Sequence, residues 1–248
     1  MTPITPITPI TPMTPRTAAS FAPSPRDLPG FQHAARCQES LLAGWEKRCL
    51  AWLAQRMPPW VHPDHLTLLG FVAMFLAGAC YALAAWWPPL LLLVNVWLAV
   101  NWFGDSLDGT LARFRNRQRP RYGFYVDHMV DSFGALFLLS GLALSGYMSG
   151  GVAFALLVAF LLLSINTYLA TYTLGTFQLS FCKMSPTEAR IFLALGNAYA
   201  WTNPSVTVLG AEHRFFDVAG AAGVVCMAAV LIASVARNTR TLYGLEKI

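Results

Sequence analysis

The sequence predicts an all-α integral membrane protein, with six transmembrane helices preceded by an interfacial amphipathic helix. Of its 248 residues, 56% are hydrophobic and 12% are charged, and the mean hydropathy is +0.49. A water-soluble domain of this length could not bury so much apolar surface. The apolar residues form six stretches flanked by basic residues, each near the roughly 20 residues that cross a bilayer. The net charge of +5 therefore suits a membrane surface, and we expect no nucleic-acid partner.

The beginning of the chain repeats a Thr-Pro unit. Residues 2–16 read Thr-Pro-Ile three times, followed by Thr-Pro-Met and Thr-Pro-Arg. Proline at every third position excludes an α-helix and favours extended polyproline II structure. The repeat also lacks the basic start and the continuous apolar core of a signal peptide. We therefore expect residues 1–35 to form a disordered tail.

Residues 36–60 are predicted to form a juxtamembrane amphipathic helix. Leucine and tryptophan residues are mixed with charged residues between about residues 38 and 57. This segment does not have the continuous apolar length of a span, which suits a helix lying in the membrane interface. Pro58 and Pro59 are expected to end the helix.

The predicted membrane domain covers residues 61–240 and is followed by a cytoplasmic tail over residues 241–248. Turn signals divide the apolar stretches at Pro88-Pro89, Ser149-Gly150-Gly151, Pro186 and Pro204. The fifth span is the shortest. The six spans run approximately over residues 65–87, 88–111, 124–146, 150–174, 187–202 and 215–237.

The basic residues predict how the spans are oriented. All 17 Lys and Arg residues except Arg214 lie on one side of the six-span arrangement. The positive-inside rule makes that side cytoplasmic. An even number of spans also places both termini there, so the charge pattern and the span count agree.

Four aspartates interrupt the apolar pattern on this predicted cytoplasmic side. Asp105 and Asp108 lie near the end of the second span, and Asp127 and Asp131 lie near the start of the third. A carboxylate at bilayer depth costs about 3 kcal/mol on insertion scales. Four clustered carboxylates therefore require compensation, which bound divalent metal can provide.

The spacing of these residues places them on two helix faces. Asp105, Asp108 and Ala112 are spaced i, i+3, i+7, and Asp127 and Asp131 are spaced i, i+4. The short loop between the two helices predicts antiparallel neighbours, so the acidic faces converge. Ligation by oxygen alone suits Mg²⁺, Mn²⁺ or Ca²⁺. Four carboxylates could hold two ions about 3.5–4 Å apart, which would clamp a phosphate for in-line displacement.

Small and basic residues lie beside the acids. Gly109 and Ala112 keep a groove small, which allows either close helix packing or entry of a ligand. Arg113 at the helix end could bind an anionic phosphate with two hydrogen bonds, or could anchor the helix at the interface.

These residues resemble the signature of the CDP-alcohol phosphotransferase (CDP-alcohol phosphatidyltransferase) family. That signature reads D-x-x-D-G-x-x-A-R, about eight residues, and then G-x-x-x-D-x-x-x-D. Nine residues separate Arg113 from Gly123 here, one more than usual. With the six spans, the resemblance extends over most of residues 38–240. All eight fixed positions match, at Asp105, Asp108, Gly109, Ala112, Arg113, Gly123, Asp127 and Asp131.

The resemblance implies a role for each matching position. It implies that Asp105, Asp108 and Asp127 are metal ligands for Mg²⁺ or Mn²⁺, with two ions expected. It implies that Asp131 is either a further ligand or the base that takes the proton of the acceptor hydroxyl. The residues implied to line the pocket for the CDP group are Gly109, Ala112, Arg113 and Gly123.

Three further residues have both a functional and a structural interpretation. His128 gives an Asp-His-x-x-Asp pattern that resembles the choline/ethanolamine phosphotransferase branch, where it could assist proton transfer, or it is a structural histidine. Thr67 resembles a threonine of the family's nucleotide site, or it is a hydroxyl at a helix start. Arg190 could bind a phosphorylated acceptor, and Pro186 and Glu188 beside it are typical of a helix start.

The resemblance implies an enzyme of phospholipid biosynthesis that transfers a substituted phosphate group and releases CMP. We expect a CDP-diacylglycerol donor with an alcohol acceptor, while His128 favours the alternative of a CDP-amino alcohol donor with diacylglycerol as acceptor. The alternative of another class is a non-enzymatic cation transporter, because carboxylates inside membranes also line ion paths. The expected partners are these substrates and membrane lipids, and a homodimer is left open.

Overall fold

The protein is built almost entirely from helices, which confirms the predicted all-α membrane class. The computed structural model describes residues 35–37, 43–174, 176–178 and 186–247. The predicted tail over residues 1–35 lies outside these residues, apart from Ala35. Within the described residues the helices are α1 (Ala43–Arg56), α2 (Pro63–Leu83), α3 (Leu90–Phe114), α4 (Pro120–Leu144), α5 (Gly150–Leu174), α6 (Pro186–Thr202) and α7 (Phe215–Leu245).

Among the described helices, α2, α3, α4, α5 and α7 are long and apolar enough to cross a membrane. Helix α6, which covers the predicted fifth span, has 17 residues, so this span and the total of six stay predictions. The last helix continues to Leu245, well beyond the predicted end of the span at residue 237. Its final turns carry arginine, asparagine and threonine, so the extension is helical without being apolar.

Two short strand pairs accompany the helices, and the sequence patterns predict neither. Strand β1 (Ala35–Cys37) pairs in parallel with β2 (Thr176–Gln178), and β3 (Ser205–Val208) pairs antiparallel with β4 (Ala211–Arg214). Leu209 and Gly210 both have positive φ angles, of 51° and 84°. Positive φ at both loop residues is typical of the tight turn in a two-residue β-hairpin, because its twist matches that of the flanking strands.

Close contacts between backbones hold α2 against its neighbours. A Cβ atom added at Gly104 of α3 would lie 2.5 Å from the carbonyl oxygen of Leu66 and 2.7 Å from the nitrogen of Gly70. Gly78 of α2 and Gly141 of α4 form a second crossing, where an added Cβ would overlap the facing backbone. Small residues allow membrane helices to approach in this way. These crossings bring α3 and α4, which carry the four aspartates, against the same helix.

Helix α1 packs against α2 and against the part of α3 that carries the aspartates. Leu50 and Ala54 are buried on one face of α1 and contact a cluster that includes Leu66, Leu107 and Leu111. The exposed face of α1 carries tryptophan and arginine side chains, with the Arg56 guanidinium 4.0 Å from the centre of the Trp52 ring and that of Arg48 5.8 Å from Trp45. One face of α1 is therefore buried and the other is exposed, and its assignment as an interfacial amphipathic helix stays a prediction.

Polar side chains join α6 to α3 and α2. Asn197 is fully buried, accepts a hydrogen bond from the Tyr81 hydroxyl (2.6 Å) and donates one to Asn95 (2.7 Å). Asn95 in turn donates to the carbonyl oxygen of Ala194 at 3.1 Å. At the other end of α6, Arg190 contacts Asn101 and Asp105, which lie further along α3 than Asn95. Helix α6 therefore runs antiparallel to α3, with its first turns beside the aspartates.

Candidate active site at the ends of four helices

The four predicted aspartates come together at one end of the helices. Asp105 and Asp108 lie in the second half of α3, Asp127 and Asp131 lie in the first half of α4, and a loop over residues 115–119 joins the two helices. Asp131 is within electrostatic reach of the other three carboxylates and of Arg190. Its side chain nevertheless remains exposed. The four carboxylates therefore form one electrostatically connected cluster.

Asp108 is held by a residue of α2. The Thr67 hydroxyl donates a hydrogen bond to Asp108 Oδ2 over 2.6 Å, and the close crossing at Gly70 and Gly104 brings the two helices within this reach. The backbone N–H of Gly109 contacts the other carboxylate oxygen of Asp108. Thr67 thus orients Asp108, while its predicted role in binding the nucleotide stays a prediction.

Asp105 is paired with Arg190 of α6. Arg190 Nη2 lies 2.5 Å from Asp105 Oδ2, and Arg190 Nε donates to Asn101 Oδ1 over 2.8 Å. The Asn101 amide also donates to the carbonyl oxygen of Gly70 at 3.0 Å. Asn101 was absent from the predicted site, although a polar residue four positions before Asp105 in an apolar run was an available signal. The ion pair partly compensates the negative charge of the cluster.

His128 lies in an aromatic environment beside Asp127. Its Nδ1 atom is 3.8 Å from Asp127 Oδ2. Its ring stacks on Tyr168 of α5, with 4.6 Å between centroids and 23° between planes, and packs against Phe124 at 4.2 Å. The sequence did not indicate Tyr168, because nothing in the pattern of α5 distinguishes the face that meets α4. Both interpretations of His128 are compatible with this position.

Open space surrounds two glycines of the signature. An added Cβ at Gly109 would meet, among the described residues, Arg113 Nη1 at 3.5 Å, and at Gly123 it would meet no described atom within 4 Å. Close packing against the described residues therefore does not explain either glycine, and their assignment to the CDP pocket stays a prediction. Arg113 is exposed at the end of α3, where its Nη2 donates to the Thr110 hydroxyl at 3.1 Å. Ala112 lies on the same helix face as the two aspartates of α3.

The loop between α3 and α4 accommodates the nine-residue gap of the signature. The N–H of Arg117 donates to Ala112 O (2.9 Å) and that of Asn116 to Arg113 O (3.1 Å), with Asn116 at φ 53°. This pair of bonds with a left-handed residue between helix and loop is a Schellman motif. Helix α4 then begins at Pro120, so the gap contains helix ends and a short connection.

Arginines of this loop bind the start of α2 and the segment before it. Arg115 donates to backbone carbonyls of residues 57–61, including Met57 at 2.9 Å and Pro58 at 2.8 Å. Arg119 forms an ion pair with Asp64, and this hydrogen bond raises the pKa of Arg119 above its usual value. Both side chains therefore stabilise the loop beside the site.

The donor set suits a divalent metal ion, although the side chains are not gathered around one point. Within the described residues, no three Asp, Glu, His or Cys side chains are arranged so that they could hold one ion. Asp105 faces Arg190 and Asp108 faces Thr67 instead. Four carboxylates beside the cations of Arg190 and Arg113 leave an excess of negative charge, and carboxylate oxygens are the ligands that Mg²⁺ and Mn²⁺ prefer. The chemistry of the donors fits the ion, and the assignment of ligands stays a prediction.

Comparison with known proteins finds relatives of several kinds. The family model described as CDP-alcohol phosphatidyltransferase matches residues 60–236. Cholinephosphotransferase 1 of Gallus gallus is 28% identical over 207 residues, which are 77% of this chain and 59% of the relative. Archaetidylinositol phosphate synthase of Pyrococcus horikoshii is 30% identical over 113 residues (46% and 53%). CDP-diacylglycerol–serine O-phosphatidyltransferase of Encephalitozoon cuniculi is 34% identical over 125 residues (48% and 32%). The chain thus spans less than two thirds of each relative's length.

Proposed function

The chain belongs to the CDP-alcohol phosphatidyltransferase family, and from that premise we propose that it transfers a substituted phosphate group from a CDP-linked donor to an alcohol, with release of CMP. The observation that carries the proposal is the meeting of two acidic helix faces beside two glycines whose missing side chains leave open space. A diphosphate needs a site that accepts its negative charge through cations and also admits its bulk.

We assign the binding of a divalent metal to the aspartates. Asp105, Asp108 and Asp127 would hold Mg²⁺ or Mn²⁺, with two ions expected, and Asp131 would be either a further ligand or the base of the reaction. When bound, the metal would neutralise the donor diphosphate and stabilise the departing CMP.

The protein side chains have separate tasks in the proposed reaction. Asp131 accepts the proton of the acceptor hydroxyl while that oxygen bonds to the phosphorus remote from cytidine. The bond between this phosphorus and the bridging oxygen breaks, and the bridging oxygen leaves with CMP. Thr67 keeps Asp108 oriented through their 2.6 Å contact. Gly109, Ala112, Arg113 and Gly123 are the residues that we assign to the CDP group.

CDP-diacylglycerol is the donor that we propose first, with a polar alcohol as acceptor. Arg190 is the residue that we assign to a phosphate on that acceptor. Its guanidinium contacts Asp105 and Asn101, which places a cation beside the carboxylates, where an acceptor hydroxyl must enter. Arg190→Ala is expected to weaken activity with a phosphorylated acceptor without weakening binding of the CDP donor.

A second donor class is favoured by the Asp-His-x-x-Asp pattern at His128. The ring lies beside Asp127 and packs against two aromatic side chains, and the relative that aligns with 77% of the chain is named a cholinephosphotransferase. The pattern and the name of this relative favour a CDP-amino alcohol donor with diacylglycerol as the acceptor. In that reaction His128 would assist the transfer of the hydroxyl proton to Asp131.

The experiment that tests the proposal follows CMP release by the purified protein. CDP-diacylglycerol and CDP-choline are each supplied with Mg²⁺ or Mn²⁺ and a panel of alcohols, including phosphorylated alcohols and diacylglycerol. Release of CMP with one donor class identifies that class. Absence of CMP with every pair would contradict the proposal, and metal-driven ion flux in vesicles would then support the alternative of a cation transporter.

We also propose that the site and both termini face the cytoplasm, as the distribution of basic residues predicts. The contacts of α6 support this arrangement, because they place Arg190 and the arginine-rich loop at the same end of the helices. A homodimer stays a prediction, which the molar mass in detergent would decide.

A further inference from the structure

Glu46 connects the amphipathic helix to the two helices that form the Asp105–Arg190 ion pair. One oxygen of its carboxylate, Oε1, accepts hydrogen bonds from Trp102 Nε1 (2.9 Å) and Thr187 Oγ1 (2.7 Å), with Ser106 Oγ at 3.4 Å. Trp102 and Ser106 belong to α3, Thr187 belongs to α6, and Glu46 belongs to α1. A single carboxylate thus joins three helices that are distant in the sequence.

The donors to Glu46 adjoin the residues of the site. Ser106 follows Asp105 directly, and Thr187 lies three residues before Arg190, on the same face of α6. The contacts of Glu46 with α3 and α6 are therefore about one helical turn from the Asp105–Arg190 pair. A change in the distance between the helices at Glu46 would also change the distance between the carboxylate and the guanidinium.

Charge makes Glu46 effective in this position. An ionised carboxylate forms hydrogen bonds roughly twice as strong as those between neutral groups, and Glu46 is only partly exposed. Its neighbours on the outer face of α1, Lys47 and Arg48, are exposed. The amphipathic pattern alone gives Glu46 no distinct role, since a single acid in the first turn of a helix is common.

We propose that Glu46 is a positioning residue, whose carboxylate fixes α6 against α3 and thereby places Arg190 at Asp105. The inference rests on the proposed function, because Arg190 acts on the acceptor there. Glu46 lies outside the signature, on a helix before the first span, and would be a further residue that determines turnover.

The test measures kcat and KM for donor and acceptor in Glu46→Ala, Glu46→Gln and Thr187→Val, with Lys47→Gln on the exposed face as the matched control. Loss of a charge-assisted hydrogen bond corresponds to about a tenfold change. We expect about a tenfold fall in kcat/KM for the acceptor in Glu46→Ala, a smaller fall in Glu46→Gln, which keeps an acceptor oxygen, and wild-type values in the control. Unchanged kinetics in Glu46→Ala would overturn the proposal.

The double variant separates positioning from general stability. If Glu46 acts through Arg190, then Glu46→Ala should change kcat/KM by less than about twofold in an Arg190→Ala background, since two residues that act through the same helix position are energetically coupled. A full tenfold effect in that background would overturn the proposal.

Hydrogen exchange gives a result that does not need turnover. Amides in the first turns of α6 should exchange faster in Glu46→Ala than in the wild type, while those in the middle of α4 should not change. Equal exchange in α6, or faster exchange in both helices, would count against positioning. Absence of CMP release by the wild type would instead contradict the proposed function, and the exchange result would still decide the role of Glu46.

Discussion

Two glycines of α3 differ in what surrounds them, and a methyl group added to each should have opposite effects. A Cβ at Gly104 would overlap the backbone of α2, whereas a Cβ at Gly109 would meet a flexible arginine at 3.5 Å. Gly109→Ala should therefore leave the protein folded, with up to about 1 kcal/mol of added helix stability. The same methyl group should raise KM for the CDP donor about tenfold or more, because it enters the proposed pocket.

Gly104→Ala is the matched comparison for Gly109→Ala. It should lower the melting temperature in detergent, since the α2–α3 crossing cannot open without separating Thr67 from Asp108. If a folded Gly109→Ala protein had the same KM for the CDP donor as the wild type, the space at Gly109 would not be part of the pocket.

The Thr67 hydroxyl is expected to matter for the affinity of the metal. Thr67→Val keeps the shape of the side chain and removes the donor to Asp108. Because residues that orient a metal ligand typically contribute about 10–100-fold to affinity, Mn²⁺ binding measured by electron paramagnetic resonance should weaken by about that factor. Thr173→Val is the control, because among the described residues the Thr173 hydroxyl donates its hydrogen bond to the carbonyl oxygen of Leu169 in the same helix, α5. Equal Mn²⁺ affinity in Thr67→Val and the wild type would remove Thr67 from the site.

At the scale of elements, the polar contacts of α6 should contribute to stability independently of the chemistry. Asn197→Ala removes the partner of both Tyr81 and Asn95 in a buried position. Hydrogen bonds between membrane helices average about 0.6 kcal/mol and reach about 1.7 kcal/mol, so a loss of about 1–2 kcal/mol is expected. Thermal unfolding in detergent measures this loss, and kcat well below the melting temperature should change little. A kcat that falls as much as in Arg190→Ala would contradict a purely structural role.

The sequence indicates those candidate-site residues whose pattern lies within a single helix. The acids of α3 and α4 are recognisable because i, i+3 and i, i+4 spacing needs no knowledge of a partner helix, and four of them in apolar runs are conspicuous. Asn101, Tyr168 and Glu46 escaped prediction because their roles depend on which helix packs against which face. That choice is made by close crossings such as Gly70 with Gly104, which a single sequence does not identify. The β3–β4 hairpin was missed because Leu209 is an unusual residue for a turn with positive φ.

At the scale of the whole molecule, the proposed orientation predicts which segments are accessible in intact cells. An epitope inserted after Leu209, at the tip of the β3–β4 hairpin, should be stained without permeabilisation, because the hairpin follows the end of α6 remote from Arg190. An epitope after residue 247 should be stained only after permeabilisation. Staining of both epitopes in intact cells, or the reverse pattern, would contradict the proposed arrangement of six spans with a cytoplasmic site. If α6 did not cross the membrane, the five remaining spans would place the hairpin inside the cell and residue 247 outside, which is the reverse pattern.

Metal-dependent transfer from a CDP-linked donor is the activity that we propose for the acidic cluster. The time course of CMP release from chelator-treated protein, before and after Mg²⁺ is restored, tests this activity in the wild type and in Asp108→Asn. We expect release by the wild type only after Mg²⁺ is added, and at least about a hundredfold slower release by Asp108→Asn, equivalent to about 2.7 kcal/mol in the barrier. Release that does not need the ion, or that is equally fast in Asp108→Asn, would contradict the proposed activity.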